Sequence, residues 1–314
     1  MYTLKAIAQQ QGVEVEVHIL AFLPDATLKS EIESYAAQAP YPIRYTLLPQ
    51  TMKNIAYRKM AITIGTKSAR HEAIVLTQTG TIPNTSYWLY NMAKMAKQQD
   101  IYAAPAFLAQ EHAGSSAIHY LSALLGLATQ SLASEQRMAT ETNLVYSKTA
   151  FINNSKVFSK DLDGEGGEAL SIARTIDHST SSKATRDTIV YINQSAFATT
   201  LTLQKSLRII EHKYPAILRH QKLNSILLQA IWIVSLIYTT LRLLLPVSNG
   251  FELVVYDTLV GIILLVHLLL HTISYIRLAH SLSLGGSSLL AYWYALWLPI
   301  YIYYYKLLYR KSMK

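Results

Sequence analysis

Three long apolar segments occupy the last third of the chain, and they restrict its fold more than any other feature. Residues 226–245 and 253–276 each match the run of about 20 apolar residues that crosses a bilayer as a helix. The third segment, residues 289–308, contains Pro299 and many tyrosines and tryptophans, which favour the headgroup region. We predict two membrane-spanning helices and a third segment that either crosses fully or lies re-entrant or interfacial.

The distribution of positive charge predicts the orientation of these helices. The loop at residues 246–250 has no lysine or arginine, whereas the segment before the first span is rich in both. Because basic residues stay on the cytoplasmic side, we predict a cytoplasmic head and membrane lipids as partners. The basic residues before the first span are Lys205, Arg208, Lys213, Arg219 and Lys222.

Composition excludes several other classes of protein. The 314 residues include no cysteine, which excludes disulfides, thiolate metal sites and thiol nucleophiles. The net charge of +9 is not accompanied by a groove-reading motif, so we predict no nucleic-acid partner. The first residues lack a long apolar run, so no signal peptide is predicted.

Strand-like and helix-like segments alternate through the first two thirds of the chain. Such alternation is typical of an α/β fold with an open, mostly parallel sheet and helices on both faces. The predicted domains are therefore a head at residues 1–222 and a membrane region at residues 223–314. Strands are predicted at residues 13–23, 43–48, 73–77 and 101–108, and helices at residues 28–37, 53–70, 88–97 and 118–132.

Four stretches carry a resemblance to a known family. Residues 53–72 read KNIAYRKMAITIGTKSARHE, 74–89 read IVLTQTGTIPNTSYWL, 142–151 read TNLVYSKTAF, and 203–214 form a helix-like segment before the apolar tail. In order and spacing they are similar to the family-2 glycosyltransferases, specifically a membrane-tethered bacterial branch common in Bacteroidetes. The resemblance implies a GT-A-like head and a multi-pass location in the bacterial inner membrane. It also implies a role in sugar transfer from a nucleotide-sugar, for envelope polysaccharide or glycolipid synthesis.

The resemblance places the family's metal-binding carboxylates at Gln78 and Gly80. The family uses Mg²⁺ or Mn²⁺ to neutralise the departing diphosphate, and these cations require carboxylate oxygens. A glutamine amide offers only a neutral oxygen, and glycine offers no side chain. Either Gln78 still binds the donor or a metal, or these residues form the strand end and turn of an inactive site. We predict no metal and no cofactor.

The family's general base is drawn from an acidic cluster that corresponds to residues 164–170. When the family's motif G-D-D-D-L is aligned on Leu170, Glu168 is the one carboxylate inside it, and Asp163 and Glu165 lie just before the aligned positions. A carboxylate within hydrogen-bond reach of an acceptor hydroxyl deprotonates it, so Glu168 is the candidate catalytic residue. The alternative is a solvated glycine-rich loop that leads into a helix.

Substrate contacts in the family also come from a Q-x-x-R-W helix. Gln204 is retained here, Arg208 stands one place late, and the tryptophan is missing. A shift of one residue turns a helical side chain by roughly 100°. Arg208 is therefore either a substrate-binding residue or a cationic interfacial residue.

Two further features concern the ends of the chain. Residues 4–10 resemble the helix that follows the family's first strand, so the strand that holds the nucleotide base is predicted to be missing. An incompletely assigned reading frame or a real loss would explain this. The second span also contains Asp257, His267 and His271. The two histidines are four residues apart on one helix face, and they either form part of a metal set or face another helix or a watery groove, while Asp257 is expected near the outer headgroups.

These observations predict a membrane-bound glycosyltransferase homologue that is catalytically degenerate and acts as a partner or scaffold. Another glycosyltransferase or an envelope-assembly protein is the expected partner, and no metal-dependent nucleotide binding is expected. One alternative is an active, metal-independent glycosyltransferase with Glu168 as its base. A further alternative is a non-enzymatic membrane interaction module that never contacts a sugar nucleotide.

Overall fold

The computed structural model separates the chain into two compact units. The first contains the described residues up to 193, and the second contains those from 223 onward. The predicted boundary after residue 222 stays a prediction, because the residues around it lie outside the described ranges. Those ranges are 2–21, 26–47, 54–104, 106–108, 142–160, 171–173, 175–176, 185–193, 223, 226, 229–238, 240–241 and 251–281.

Most of the predicted elements of the head are confirmed where they are described. The predicted strand at 101–108 is two short strands, and the predicted helix at 118–132 lies outside the described residues. The elements in chain order are α1 (Tyr2–Ala8), β1 (Val17–Ala21), α2 (Ala26–Ala36), β2 (Ile43–Leu47), α3 (Asn54–Ser68), β3 (Ala73–Leu76), β4 (Thr81–Pro83), α4 (Trp88–Gln99), β5 (Ile101–Ala103), β6 (Ala106–Leu108), β7 (Leu144–Ser147), α5 (Lys148–Asn153), α6 (Ser155–Lys160), a 3₁₀ turn (Arg186–Thr188), β8 (Val190–Ile192) and α7 (Phe251–Ser281).

The described strands form three small sheets, and the prediction of a mostly parallel, GT-A-like sheet is wrong. Sheet I pairs β1 with β2 in parallel. Sheet II has the order β3-β7-β5, and both of its pairings are antiparallel. Sheet III has the order β4-β8-β6, with one antiparallel and one parallel pairing. The apolar run of β3 was typical of a central parallel strand, but periodicity does not reveal the direction of the neighbour, and β7 returns beside β3 in the opposite direction.

Sheet II is covered on both faces, and β7 lies at its centre. All four residues of β7 are buried, and successive side chains point to opposite faces, as in any strand. Leu144 and Tyr146 pack in one cluster with Ile62 of α3. Val145 packs in a second cluster with Trp88 of α4. Both faces of a short central strand are therefore apolar core.

The predicted membrane tail is a second correction. Over the residues that the structure describes, no helix is both long and apolar enough to cross a membrane. The predicted multi-pass inner-membrane location is therefore wrong for the described residues, and the predicted segment at 289–308 lies outside them.

Candidate functional site

The predicted metal-binding position is a tight turn between β3 and β4. Thr81 N donates a hydrogen bond to Gln78 O at 3.3 Å, so the chain reverses direction over four residues, from Gln78 to Thr81. Gly80 has a φ of 85°, in the left-handed region that side chains disfavour. The glycine is therefore needed for the turn itself, and a side chain at this position would strain the backbone.

The side chain of Gln78 is held by the segment that precedes β7. Gln78 Nε2 donates to Thr142 Oγ1 at 2.7 Å, and Thr77 Oγ1 donates to the Thr142 carbonyl at 2.9 Å. Thr142 is itself buried. These bonds join the end of β3 to the start of β7 through neutral groups. The arrangement can offer hydrogen bonds to a ligand, but it offers no negative charge to a cation.

A buried polar network starts at the next residue, Asn143, which is fully inaccessible to solvent. Trp88 Nε1 donates to Asn143 Oδ1 at 3.1 Å, and Asn143 Nδ2 donates to the Thr188 carbonyl at 2.8 Å. The Asn143 carbonyl accepts from Ala104 N at 2.9 Å. The side-chain oxygen and nitrogen of Asn143 both have hydrogen-bond partners. Asn143 therefore links α4, the end of β5, β7 and the 3₁₀ turn, which is a structural role.

Glu72, which directly precedes β3, is a carboxylate that the sequence alone did not predict as a site residue. Its oxygens accept from Ser147 Oγ at 2.6 Å, Thr149 N at 2.9 Å and Thr149 Oγ1 at 3.0 Å. Burial acts to raise the pKa of Glu72, but these hydrogen bonds and the charge of Lys148 outweigh it and lower the pKa. An ionised carboxylate held by three donors fixes the start of α5 and is a poor base.

His18 is a second titratable group that the sequence reading missed. His18 Nε2 lies 2.8 Å from Thr46 Oγ1, and His18 Nδ1 lies 3.1 Å from Ser68 Oγ. Ser68 Oγ donates to the Gly65 carbonyl, so it accepts from Nδ1–H, and the Thr46 hydroxyl donates to Nε2. Burial and the nearby charge of Arg44 lower the pKa of His18. The neutral imidazole therefore links β1, β2 and the end of α3.

The remaining predicted site residues are not brought together by the described part of the chain. Glu168, Gln204 and Arg208 lie outside the described residues, so their roles stay predictions. Asp257 and His271 lie on α7 without described side chains. Among the described residues, no group of three or more histidine, aspartate or glutamate side chains could hold a metal ion.

Comparison with models of protein families finds no match, and comparison with curated proteins finds no significant match. The resemblance to the family-2 glycosyltransferases therefore stays a prediction.

Proposed function

We propose that this chain is a non-catalytic homologue of the family-2 glycosyltransferases. In this proposal it serves as a partner or scaffold for another glycosyltransferase or an envelope-assembly protein. The observation that carries the proposal is the Gln78–Thr142 hydrogen bond of 2.7 Å. The resemblance expects a carboxylate at position 78. The neutral amide of Gln78 instead forms a hydrogen bond to Thr142, in the segment that precedes β7.

The electrostatic cost of this replacement supports the absence of catalysis. A divalent cation offsets charge that develops on the departing diphosphate, and it is held by carboxylates. Loss of such charge stabilisation commonly costs several kcal/mol, and about 1.4 kcal/mol is tenfold in rate. Gly80 has no side chain that could supply the second carboxylate, and its φ of 85° suits the glycine that is present.

The residues that carry the third stretch of the resemblance have structural roles, which also supports the proposal. Tyr146 OH lies 2.7 Å from Thr66 Oγ1 of α3. Lys148 Nζ donates to the Ala69 carbonyl just beyond the end of α3, where a cation complements the helix dipole. Phe151 is fully buried. The retained motif therefore stabilises the head, while the position expected to bind metal carries no charge.

Calorimetry with nucleoside diphosphates, with and without Mn²⁺, tests the proposal. We expect no binding to the unmodified chain at submillimolar concentrations and no sugar transfer from nucleotide-sugars. The matched variant is Gln78→Glu, with Gln78→Asn as a neutral control. Neither variant is expected to bind Mn²⁺ tightly, because the second carboxylate of the pair is still missing.

Micromolar, Mn²⁺-dependent binding to the unmodified chain would refute the proposal. Metal-free binding that disappears in Glu168→Ala or Arg208→Ala would instead favour the metal-independent glycosyltransferase.

A further inference from the structure

One face of sheet I lies against the C-terminal half of α3. Side chains at alternate positions of a strand share a face, so Glu16, His18 and Leu20 project to the same side at β1. A Cβ added to Gly65 of α3 would lie 3.5 Å from Leu20 and 3.9 Å from His18 Nδ1. The histidine is therefore part of the contact between sheet I and α3.

Three polar links join this face to the end of α3. His18 Nδ1 lies 3.1 Å from Ser68 Oγ. From β2, an Arg44 guanidinium nitrogen donates to the Ser68 carbonyl at 3.1 Å. Arg70 N, just beyond α3, donates to Glu16 Oε1. All three links reach residues 68–70, and we call this set the sheet I–α3 contact.

The apolar part of the sheet I–α3 contact is small in the part of the chain that the structure describes. It is a cluster in which Leu20 and Met60 pack against Ala61, which is fully buried. On the opposite face of sheet I, Val17 packs in the cluster that contains Trp88 of α4. The polar links therefore carry much of the attachment to α3, whereas the opposite face is held by apolar burial.

The attachment of α3 to sheet II uses other residues. Ile62 packs in one core cluster with Leu144 and Tyr146 of β7. Thr66 Oγ1 lies 2.7 Å from Tyr146 OH, and Lys59 Nζ donates to the Phe158 carbonyl at 3.0 Å. A change at the polar links to sheet I therefore leaves the attachment of α3 to sheet II in place.

The charges around His18 oppose its protonation. Glu16 precedes it at the start of β1, Arg44 is its neighbour on β2, and Lys67 and Arg70 flank Ser68 at the end of α3. Burial and the charge of Arg44 lower the pKa of His18, and the charge of Glu16 offsets this only in part.

Protonation also disturbs a hydrogen bond of the ring. Both nitrogens of an imidazolium are donors. The Thr46 hydroxyl, which lies 2.8 Å from His18 Nε2, would then have to turn its proton away from the ring.

We propose that protonation of His18 opens the sheet I–α3 contact in mild acid, while sheet II keeps its fold. In the open state the imidazolium is solvated and lies away from Arg44, so the open state binds the proton more readily than the closed state does. The population of the open state therefore rises as the pH falls below about 6.5. Opening exposes the buried surface that Leu20 and Ala61 share.

Thiol labelling of the full chain tests this opening. Because the chain has no cysteine, Ala61→Cys introduces a single thiol at the buried centre of the contact. Val145→Cys places the reference thiol in β7, where the side chain is equally buried. Labelling rates are compared with those of an exposed thiol peptide at each pH, which removes the effect of pH on the thiol itself.

Between about pH 7.5 and about pH 5.5, relative labelling at position 61 is expected to rise at least about threefold. Labelling at position 145 should not change over the same range. Amide hydrogen exchange at Arg70, measured on the unmodified chain, is an independent reading, because this amide donates across the contact. Its protection factor should fall by a similar ratio.

Three further substitutions, each made in the Ala61→Cys chain, identify the titrating group. His18→Gln keeps one donor and one acceptor but does not titrate, so the rise at position 61 should disappear. Arg44→Gln removes the neighbouring charge and should reduce the rise. Lys94→Gln removes an exposed charge from α4 instead and should leave the rise unchanged.

A rise that persists in His18→Gln would overturn the inference, because another group would then control the opening. Equal rises at positions 61 and 145 would also overturn it, because they would show unfolding of the whole unit. Constant labelling at position 61, together with constant protection of the Arg70 amide, would show that the contact stays closed in acid.

Discussion

Replacing Asn143 tests how much the first unit depends on its buried polar network. Asn143→Ala would remove the acceptor of Trp88 Nε1 and the donor to the Thr188 carbonyl. Both remaining groups would be orphaned around a residue that has no solvent exposure. A buried unsatisfied group costs about 1–3 kcal/mol, so the two together predict a loss of about 4 kcal/mol.

Urea denaturation, followed by circular dichroism to avoid changing the tryptophan signal, measures this loss as a shift in midpoint at constant slope. Asn154→Ala is the matched control. Asn154 Nδ2 also donates to a carbonyl, that of Ala150, but at a partly exposed helix end. The control is expected to cost under about 1 kcal/mol, because water replaces the lost partner.

Trp88→Phe completes a double-mutant cycle with Asn143→Ala. Once Trp88 no longer donates, Asn143→Ala leaves only one group orphaned, so the two losses should be less than additive by about 1–2 kcal/mol. A loss below about 1 kcal/mol for Asn143→Ala, or full additivity in the cycle, would show that the network does not hold these elements together.

Three further predictions concern single sites. The folded-state pKa of His18 lies below 6.5, so the unfolded chain binds a proton at this histidine more readily than the folded chain does. The free energy of unfolding should therefore fall as the pH drops below about 6.5. The same pH series on His18→Gln should lack this fall. Because the folded-state pKa of Glu72 lies below 4.5, its stabilisation should be present above pH 4.5 and lost as pH falls below it; unchanged acid sensitivity in Glu72→Gln would contradict this. Gly80→Ala should destabilise the protein by about 1–2 kcal/mol, because the φ of Gly80 is positive. Gly65→Ala should stabilise it by about 0.5–1 kcal/mol, because Gly65 lies in a helix and an added Cβ would meet only ordinary contacts from 3.5 Å outward. Thermal melts in which both variants shift the melting temperature in the same direction would contradict the backbone argument.

Local patterns were sufficient for most elements of the head. The apolar run at residues 73–77 and the apolar spacing of residues 53–70 reflect contacts that recur every two or every three to four residues. Those periods are properties of the sequence alone, and β3 and α3 lie where they predict. The turn at Gly80 was also readable, because glycine is the residue that tolerates a positive φ.

Pairing and site geometry were decided by the tertiary structure. The direction of β7 beside β3 depends on how the intervening residues return the chain, which no local period encodes. No local pattern encodes the partners of Gln78 or His18 either. Thr142, the partner of Gln78, lies 64 residues away in the chain. The ring of His18 forms hydrogen bonds with residues 46 and 68.

The sequence by itself determined the residue types at the candidate site: with Gln78 and Gly80 in place, no fold could supply two carboxylates there. It also determined which segments are apolar, but not what those segments do. Length and hydropathy predicted a membrane tail, and the described helices do not meet the requirement for a crossing. The tertiary structure alone decided that, among the described residues, β1 and β3 each pair with a single neighbouring strand. Apolar residues show only that a strand is to be covered, whereas the position of each neighbour depends on contacts between residues far apart in the chain.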